Sequence, residues 1–327
     1  MCIILHPGIL SSIQDNGRTG YRAFGMPVSG VMDRYASTMA NILAGNSRDA
    51  AVVEMTLRGG RFRFPHEAYV AICGADMQAK LNGKKVRNWS GFYLPAGSEL
   101  AFGFALTGCR AYLAISGGIL VPQVMGSSST YLRAGIGGYQ GRALQAGDVL
   151  RTARVEALPF LSNELAHSAV PAYGNNPRLR VILGPQDDLF TGDAVATFLK
   201  SAYTVSHRND RMGYLLEGEH LTHKAGPDIV SDALCPGAVQ VPGSGMPIVM
   251  MADCQTTGGY AKIATVIAPD LALLAQAKAG DRVSFAACSD ADAVAARIAE
   301  LEHYQIASSA QQSAKNAQPK GIEHGIH

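Results

Sequence analysis

The chain lacks the features that would place it in several broad classes. Its six cysteines, Cys2, Cys73, Cys109, Cys235, Cys254 and Cys288, lie far apart without a C-x-x-C, which indicates neither a zinc knuckle nor a disulfide framework. No apolar run approaches the ~18 residues of a membrane span. The N-terminus, Met1-Cys2-Ile3-Ile4-Leu5-His6-Pro7, has neither a basic leader nor a long apolar core. Neither charge sign dominates: 28 basic residues stand against 26 acidic ones, and no long block of either sign occurs. That balance gives no electrostatic case for a nucleic-acid partner or an anionic membrane. A G-x-x-x-x-G-K-[ST] sequence is also missing, so a nucleotide P-loop is not supported. These absences point to a cytoplasmic globular protein with reduced thiols.

What the chain does have is short strands. With 327 residues, two domains or one large β-rich domain are expected. Ala51–Leu57, Arg61–Phe64, Ala68–Ile72, Gln78–Leu81, Gly91–Leu94, Glu99–Phe104 and Arg110–Ile115 recur at about ten-residue spacing between glycine turns, with Asn82-Gly83 the clearest hairpin turn. Helices are few: 33–44 with Asp33 as N-cap and Gly45 as stop, 194–201 capped by Asp193, 271–277 and 290–303. The pattern predicts a mainly β fold, an all-β barrel or sandwich, rather than a βαβ sheet. A turn-then-strand echo at Pro95–Phe102, Gln145–Leu150 and Lys278–Phe285 is consistent with two related barrels. The division expected is residues 1–155 for the first subdomain, 156–177 for a proline-rich linker, 178–304 for the second, and 305–327 for a disordered tail.

One stretch concentrates chemistry. Residues 237–260 place two apolar runs, Ala238–Val241 and Ile248–Ala252, around a Pro/Gly turn, which reads as a core hairpin. It ends in Asp253-Cys254-Gln255-Thr256-Thr257-Gly258-Gly259-Tyr260, where a carboxylate, an amide, two hydroxyls and a phenol crowd a Gly-Gly turn. Such density at a strand end fits a site. It also fits plain architecture, with Asp253 capping a turn, the threonines as strand residues, and Tyr214 and Tyr260 in the core. Gln14, Asp15 and Arg18 either cap the Asp15-Asn16-Gly17 turn or line a pocket. The loop 122–142 is too rich in glycine and hydroxyls for a regular element, yet Met125, Tyr131, Leu132 and Ile136 argue for order. His220-x-x-His223 has no third ligand motif nearby and is read as a strand pair, so no metal is expected. Cys254 has no neighbouring histidine in sequence to activate it.

Five separated runs, in order, resemble one family. They are Gln14-Asp15-Asn16-Gly17-Arg18, Ser29-Gly30-Val31-Met32-Asp33, Met125-Gly126-Ser127-Ser128-Ser129-Thr130-Tyr131, Arg211-Met212-Gly213-Tyr214 and Gln255-Thr256-Thr257-Gly258-Gly259-Tyr260. They resemble the KipA / allophanate hydrolase subunit 2 family, also called biotin-dependent carboxyltransferase-family proteins, whose bacterial members include the C subunit of an ATP-dependent 5-oxoprolinase. The resemblance implies two cyclophilin-like β-barrel halves and work beside a KipI-like partner, with a LamB/YcsF-like protein completing the oxoprolinase. It implies a small lactam or amide substrate and ATP used by the assembled complex. Alternatives within the family are a carboxyltransferase acting on urea with carboxybiotin, or a regulatory protein countering a KipI-like kinase inhibitor. No Met-Lys-Met or Val-Lys-Met biotin acceptor occurs, so any biotin belongs to a separate chain. Two positions depart from the family: Leu215 stands where arginine is common, and Ser128 where arginine or cysteine is usual.

Both family chemistries build negative charge on an oxygen, which fixed donors in a dry pocket stabilise. Arg211 and the Gly258-Gly259 turn are the expected donors, and Asp253 the residue that orients a donor or takes a proton. Gln14, Asp15, Arg18, Ser129, Thr130, Tyr214, Gln240, Gln255, Thr256, Thr257 and Tyr260 complete the expected substrate contacts.

Overall fold

The computed structural model describes residues 1–155 and 163–316. Strands from the first half form two sheets. A six-stranded sheet runs in the order Asn163–Glu164, Ser90–Leu94, Ala68–Asp76, Thr107–Ile115, Val52–Thr56, Leu10–Gln14. A seven-stranded sheet runs Ile119–Leu120, Val149–Thr152, Cys2–His6, Arg61–Phe64, Ser98–Ala101, Lys80–Leu81, Lys84–Lys85. The last two strands are the Asn82-Gly83 hairpin, and both turn residues have positive φ, as that turn requires.

The two central strands of the six-stranded sheet are mostly apolar because both their faces are covered, with Arg110 the one charged residue buried within them. Side chains alternate along a strand, so Val70 and Ile72 face the core shared with Phe62, Phe64 and Leu100. Ala71 and Cys73 face the other way, onto helix α1 (Arg34–Ala44). Every residue of α1 after Arg34 is buried. Asp33 caps its start by accepting from Ala36 N at 2.9 Å, and Gly45 ends it in the left-handed conformation, as the sequence predicts.

The second half is a closed barrel of seven strands: Arg178–Leu183, Lys262–Val266, Ala238–Gln240, Ile248–Met250, Gly213–Glu217, Ala202–Val205 and Arg282–Ala287. Closure comes from a parallel pairing of the first and last, with Arg178 opposite Ser284. The expected core hairpin is present, with Val239 opposite Val249. Phe198, on α2 (Gly192–Lys200), stacks on Phe285 at 4.3 Å in the barrel core, and Met32 of the first half is buried in the same cluster. The mainly β architecture with few helices is as the sequence predicts.

Three local expectations are corrected. The cap of α2 is Thr191, which accepts from Ala194 N, and not Asp193. The linker is partly structured: Asn163–Glu164 joins a sheet, Ala169 O accepts from Tyr35 Oη, and Tyr173 donates to Asp33; residues 156–162 lie outside the described residues. After the short α3 (Leu271–Ala275), the last helix α4 (Asp290–Asn316) does not stop at His303. Residues 305–316, expected as tail, stay helical because they have something to pack on. Tyr304 and Ala307 are buried against α1, the Tyr304 ring lies 5.6 Å from Tyr35, and Arg48 reaches both the Tyr304 carbonyl and Ser308 Oγ. The remainder, from 317, lies outside the described residues.

Emptying this contact tests it. Tyr304→Ala is expected to lower stability by about 3 kcal/mol, the scale of deleting a buried aromatic ring, read as a lower urea midpoint. An unchanged midpoint would show that the end of α4 contributes nothing.

Candidate functional site

The two halves meet on a buried polar cluster centred on Arg211. The chain places this arginine just before the strand Gly213–Glu217 and Asp253 just after the strand Ile248–Met250. The backbone clamps the two together, with Asp253 N donating to Arg211 O at 2.8 Å and Met251 N to Met212 O at 2.9 Å. The Arg211 guanidinium then donates Nε to Asp253 Oδ2 at 2.9 Å and Nη2 to Asp253 Oδ1 at 3.0 Å. Its other bonds cross to the first half: Nη1 to Glu54 Oε1 and Nη2 to the Gly30 carbonyl, each at 2.5 Å. Burial works against its charge, but Asp253 and Glu54 outweigh that and hold the guanidinium charged beyond the ordinary arginine range. Four of its five N–H groups are thereby committed, leaving one on Nη1.

The cluster continues inward. Glu54 Oε2 accepts from Met32 N at 2.8 Å and from Tyr112 Oη at 2.9 Å, and Tyr112 Oη accepts from Asp33 N at 2.8 Å. Asp33 Oδ2 takes Tyr173 Oη and Gln276 Nε2; burial pushes its carboxyl up from the usual range while these donors and Ala36 N oppose the shift. Gln276 crosses between the halves a second time, its Oε1 accepting from the amides of Cys109 and Arg110. Arg110 Nη1 donates to Tyr214 Oη at 2.6 Å and to Ala275 O.

Beside the cluster lies a cleft of 780 Å³ between the halves, with Arg211 and Asp253 in its wall. Tyr131, Leu132 and Arg133 of the glycine-rich loop line one side, and His207, Asp210 and Lys278 the other. Its size is within the roughly 300–1,000 Å³ of small-molecule sites.

The residues singled out in the sequence fall into three places. Gln14, Asp15, Arg18, Ser129 and Thr130 do come together. Asp15 Oδ1 accepts from Gly17 N, Ser127 Oγ and Ser129 Oγ, its Oδ2 accepts from Ser128 N, and Gln14 Nε2 donates to Thr130 O. Asp15 therefore caps its turn and pins the serine loop as well. Arg18, 1% exposed, donates Nη2 to Ser129 O, while its Nε and Nη1 have no partner among the described residues. Burial lowers its guanidinium below the ordinary arginine value, with Asp15 and Asp253 opposing. The loop must be glycine here: a Cβ on Gly137 would lie 2.2 Å from Ser129 O and 2.7 Å from Arg18 Nη2.

Arg211 and Asp253 form the second place, in the cleft wall. Tyr214 sits apart from the cleft lining, fully buried in the barrel core beside Arg110. The third place is a two-stranded ribbon in which Thr257–Tyr260 pairs with Asp228–Ala233. Gln255 and Thr257 are exposed there, Tyr260 is 41% exposed, and Gln240 Nε2 reaches the Tyr260 carbonyl. None of Gln255, Thr256, Thr257, Gly258, Gly259 or Tyr260 lines the cleft. The chain therefore turns from interior to surface at Cys254, whose thiol burial pushes up to about 11, with Arg22 opposing. His223 Nε2 meets the Val241 carbonyl, and no group of three or more His, Cys, Asp or Glu residues among those described could hold a metal ion.

Sequence reasoning missed Glu54, Arg110, Tyr112 and Gln276. Glu54 and Arg110 did leave a signal, since each is a lone charge inside an apolar strand (Val52-Val53-Glu54-Met55 and Cys109-Arg110-Ala111-Tyr112-Leu113). A charge buried there must be paired. Nothing local announces Gln276.

Known proteins resemble this chain in both sequence and fold. A family model described as carboxyltransferase domain, subdomain A and B, matches residues 24–287. The chain is 38% identical to the 5-oxoprolinase C subunit of Escherichia coli, covering 93% of this chain and 97% of that protein. It is 33% identical to the urea amidolyase of Saccharomyces cerevisiae over 85% of this chain, though over only 16% of that protein. The crystal structure of the K. lactis urea amidolyase superposes with a TM-score of 0.88 at 30% identity, over 94% of this chain and 20% of that one.

Two outcomes test the cluster. Arg211→Ala strands Glu54 and Asp253 without their cation and is expected to cost about 3–5 kcal/mol in urea unfolding, the scale for breaking a buried pair; a loss below about 1 kcal/mol would place the cluster in contact with water. The second concerns the Cys254 thiol. It stays protonated in the folded chain but ionises above about pH 8.5 in the unfolded one. Its stabilising share is therefore whole below that pH and is lost as pH rises toward 11. The urea midpoint is expected to fall from neutral pH to about pH 10, and to fall less steeply in Cys254→Ala; equal slopes would refute the assignment.

Proposed function

The chain belongs to the family of carboxyltransferase domains with subdomains A and B, and from that premise we propose that it is a subunit of an ATP-dependent 5-oxoprolinase. The complex opens 5-oxo-L-proline to L-glutamate, with a KipI-like and a LamB/YcsF-like protein as its other subunits, in the cytoplasm. One observation carries this reading. The chain matches the free-standing C subunit of the Escherichia coli 5-oxoprolinase along 97% of that protein's length, whereas it matches a small fraction of the fused urea amidolyases. Among the described residues no helix is long and apolar enough to cross a membrane.

The reaction is placed in the cleft between the halves. The remaining N–H of Arg211 Nη1 meets the lactam oxygen, where charge builds as the ring opens. Asp253 acts as a positioning residue, since its two oxygens hold the guanidinium planar and fixed from one side while Glu54 holds it from the other. Arg133 and Lys278 at the cleft wall supply positive charge for the substrate carboxylate. Arg18, with two uncommitted nitrogens behind the serine loop, adds fixed positive potential near Asp253. The chain carries no P-loop, so ATP is assigned to the assembled complex and not to residues of this subunit. Gln255–Tyr260 and Tyr214 take no part in the contact proposed here.

A second reading rests on the likeness to urea amidolyase, whose K. lactis structure matches 94% of this chain. In it the same cleft takes urea or a related amide, and carboxybiotin arrives on a separate chain.

Purified chain mixed with both partners should form glutamate from 5-oxo-L-proline only when ATP is present, and the chain alone should not. Arg211→Lys, which keeps the charge but loses the planar fork, is expected to lower kcat/KM at least about tenfold in that mixture. Glutamate formation without this chain would sink the reading. Biotin-dependent bicarbonate incorporation in place of glutamate formation would favour the second.

A further inference from the structure

The charged residues that line the cleft do not balance. Arg110, Arg133, Arg211 and Lys278 stand there against Asp210 and Asp253. Glu54, which holds Arg211 from behind, answers one more cation and leaves a single positive charge in surplus. Arg133 is exposed and Lys278 half-buried, so water and salt screen both. Arg110 is 4% exposed and is screened far less.

A guanidinium so far inside calls for an acid, and Arg110 has none bonded to it among the described residues. Its Nη1 donates to neutral acceptors, Tyr214 Oη at 2.6 Å and the Ala275 carbonyl, and lies 3.8 Å from Cys109 Sγ. Glu54, on the neighbouring strand, is taken: its Oε1 accepts from Arg211, and its Oε2 from Met32 N and Tyr112 Oη. The two other nitrogens of Arg110 differ. Nε is sealed off without a partner, whereas Nη2 makes no bond among the described residues and is not sealed. Arg110 lines the cleft, so the open Nη2 is aimed there. The residue is also held still. Gln276 grips its backbone, accepting from the amide and donating to the carbonyl, and the guanidinium rests 5.9 Å from the centre of the Tyr214 ring.

We infer that Arg110 is the residue that reads charge in the cleft, its Nη2 donating to an oxygen of an anionic ligand and so deciding between charged and uncharged amides. A charge-assisted bond from a donor already fixed in place loses little to ordering or screening, which exposed Arg133 cannot match. The two buried arginines of the lining then divide the work. Arg211, answered by two acids, faces an oxygen that gains charge only as the reaction proceeds, while Arg110, answered by none, faces one that is charged from the start. Ile9, Leu10 and Leu57 also line the cleft and offer apolar surface to the body of the ligand. The assignment rests on the reading of this cleft as the substrate site and names the group that sets its charge preference. Arg110 binds here and moves no proton.

The test titrates the full chain, labelled with ¹³C at methionine methyls, and follows Met212, which lines the cleft. Two pairs of probes set an anion against a neutral counterpart: propionate with propionamide, a pair indifferent to the oxoprolinase reading, and 5-oxo-L-proline with 2-pyrrolidone. Each anion is expected to bind at least about tenfold tighter than its counterpart, the scale of one charge-assisted bond. Arg110→Gln should bring that ratio below about twofold by weakening the anions and not the amides, a pattern that a merely structural loss would not give; Arg133→Gln should change the ratio less than about threefold. Should Arg110→Gln fail to fold, the unaltered chain still decides. Raising salt from about 0.05 M to about 0.5 M should change the ratio less than about threefold, because a buried cation is little screened. No saturable response to either anion, equal affinity for anion and amide, a ratio that survives Arg110→Gln, or one that salt abolishes would each overturn the inference. A preference for propionate that Arg110 controls, in a chain that does not bind 5-oxo-L-proline, would leave Arg110 standing and count against the oxoprolinase reading alone.

Discussion

The molecule depends on one buried arginine answered by acids from two directions. Arg211 and Asp253 both belong to the barrel half, and Glu54 to the sheet half, so the guanidinium is satisfied only when the halves are docked. A hydrophobic interface of the same size would tolerate sliding. A planar fork with three fixed acceptor groups does not. Continuum reasoning gives such a pair little net stability over apolar packing, so its contribution is better understood as register, fixing how the cleft walls face one another. Gln276 reinforces the same register from a second point, reading Arg110 and Cys109 on one side while donating to Asp33 on the other.

That arrangement also gives the serine loop its shape. Asp15 gathers Ser127, Ser128 and Ser129, and the following glycines let the loop fold back against Arg18. The loop then delivers Tyr131 through Arg133 to the cleft. The cleft between the halves sits against this framework, and a second, smaller cavity lies beside the Ser29–Gly30 turn.

Much of the fold was legible in the sequence because its signals are local. Glycine and Asn-Gly turns bracket the strands, Asp33 and Gly45 mark both ends of α1, and the two apolar runs around a Pro/Gly turn within 238–252 identify their hairpin. What was illegible depends on partners distant in the chain. Residues 305–316 carry a composition that reads as tail, and only the surface of α1 and Arg48 gives Tyr304 and Ala307 a reason to be ordered. The site shows the same division. Asp15 and Ser129 were each named from their motifs, while the bond between their side chains appears only in the fold. The polar run after Cys254 looks as chemical as Asp253 on paper, yet a single turn of the backbone sends it to an exposed ribbon. Glu54, which reads as an interruption in an apolar strand, proves to be the counter-ion of Arg211.

The parallel pairing that closes the barrel has a consequence for how the chain is made. Its first strand, Arg178–Leu183, finds its closing partner only in Arg282–Ala287, near the end of the chain. On a ribosome the sheet half can be assembled early, but the barrel stays an open sheet with two unpaired edges until its last strand has emerged. Its closing contact is strongly non-local, which makes this step slow. Helix α4 follows at once and lies across α1 of the half that is already folded. Helix α4, made after the last barrel strand, then straps the late barrel to the early sheets, and a ribosome stalled before residue 282 would hold a chain whose barrel edges are open to chaperones and to other nascent copies.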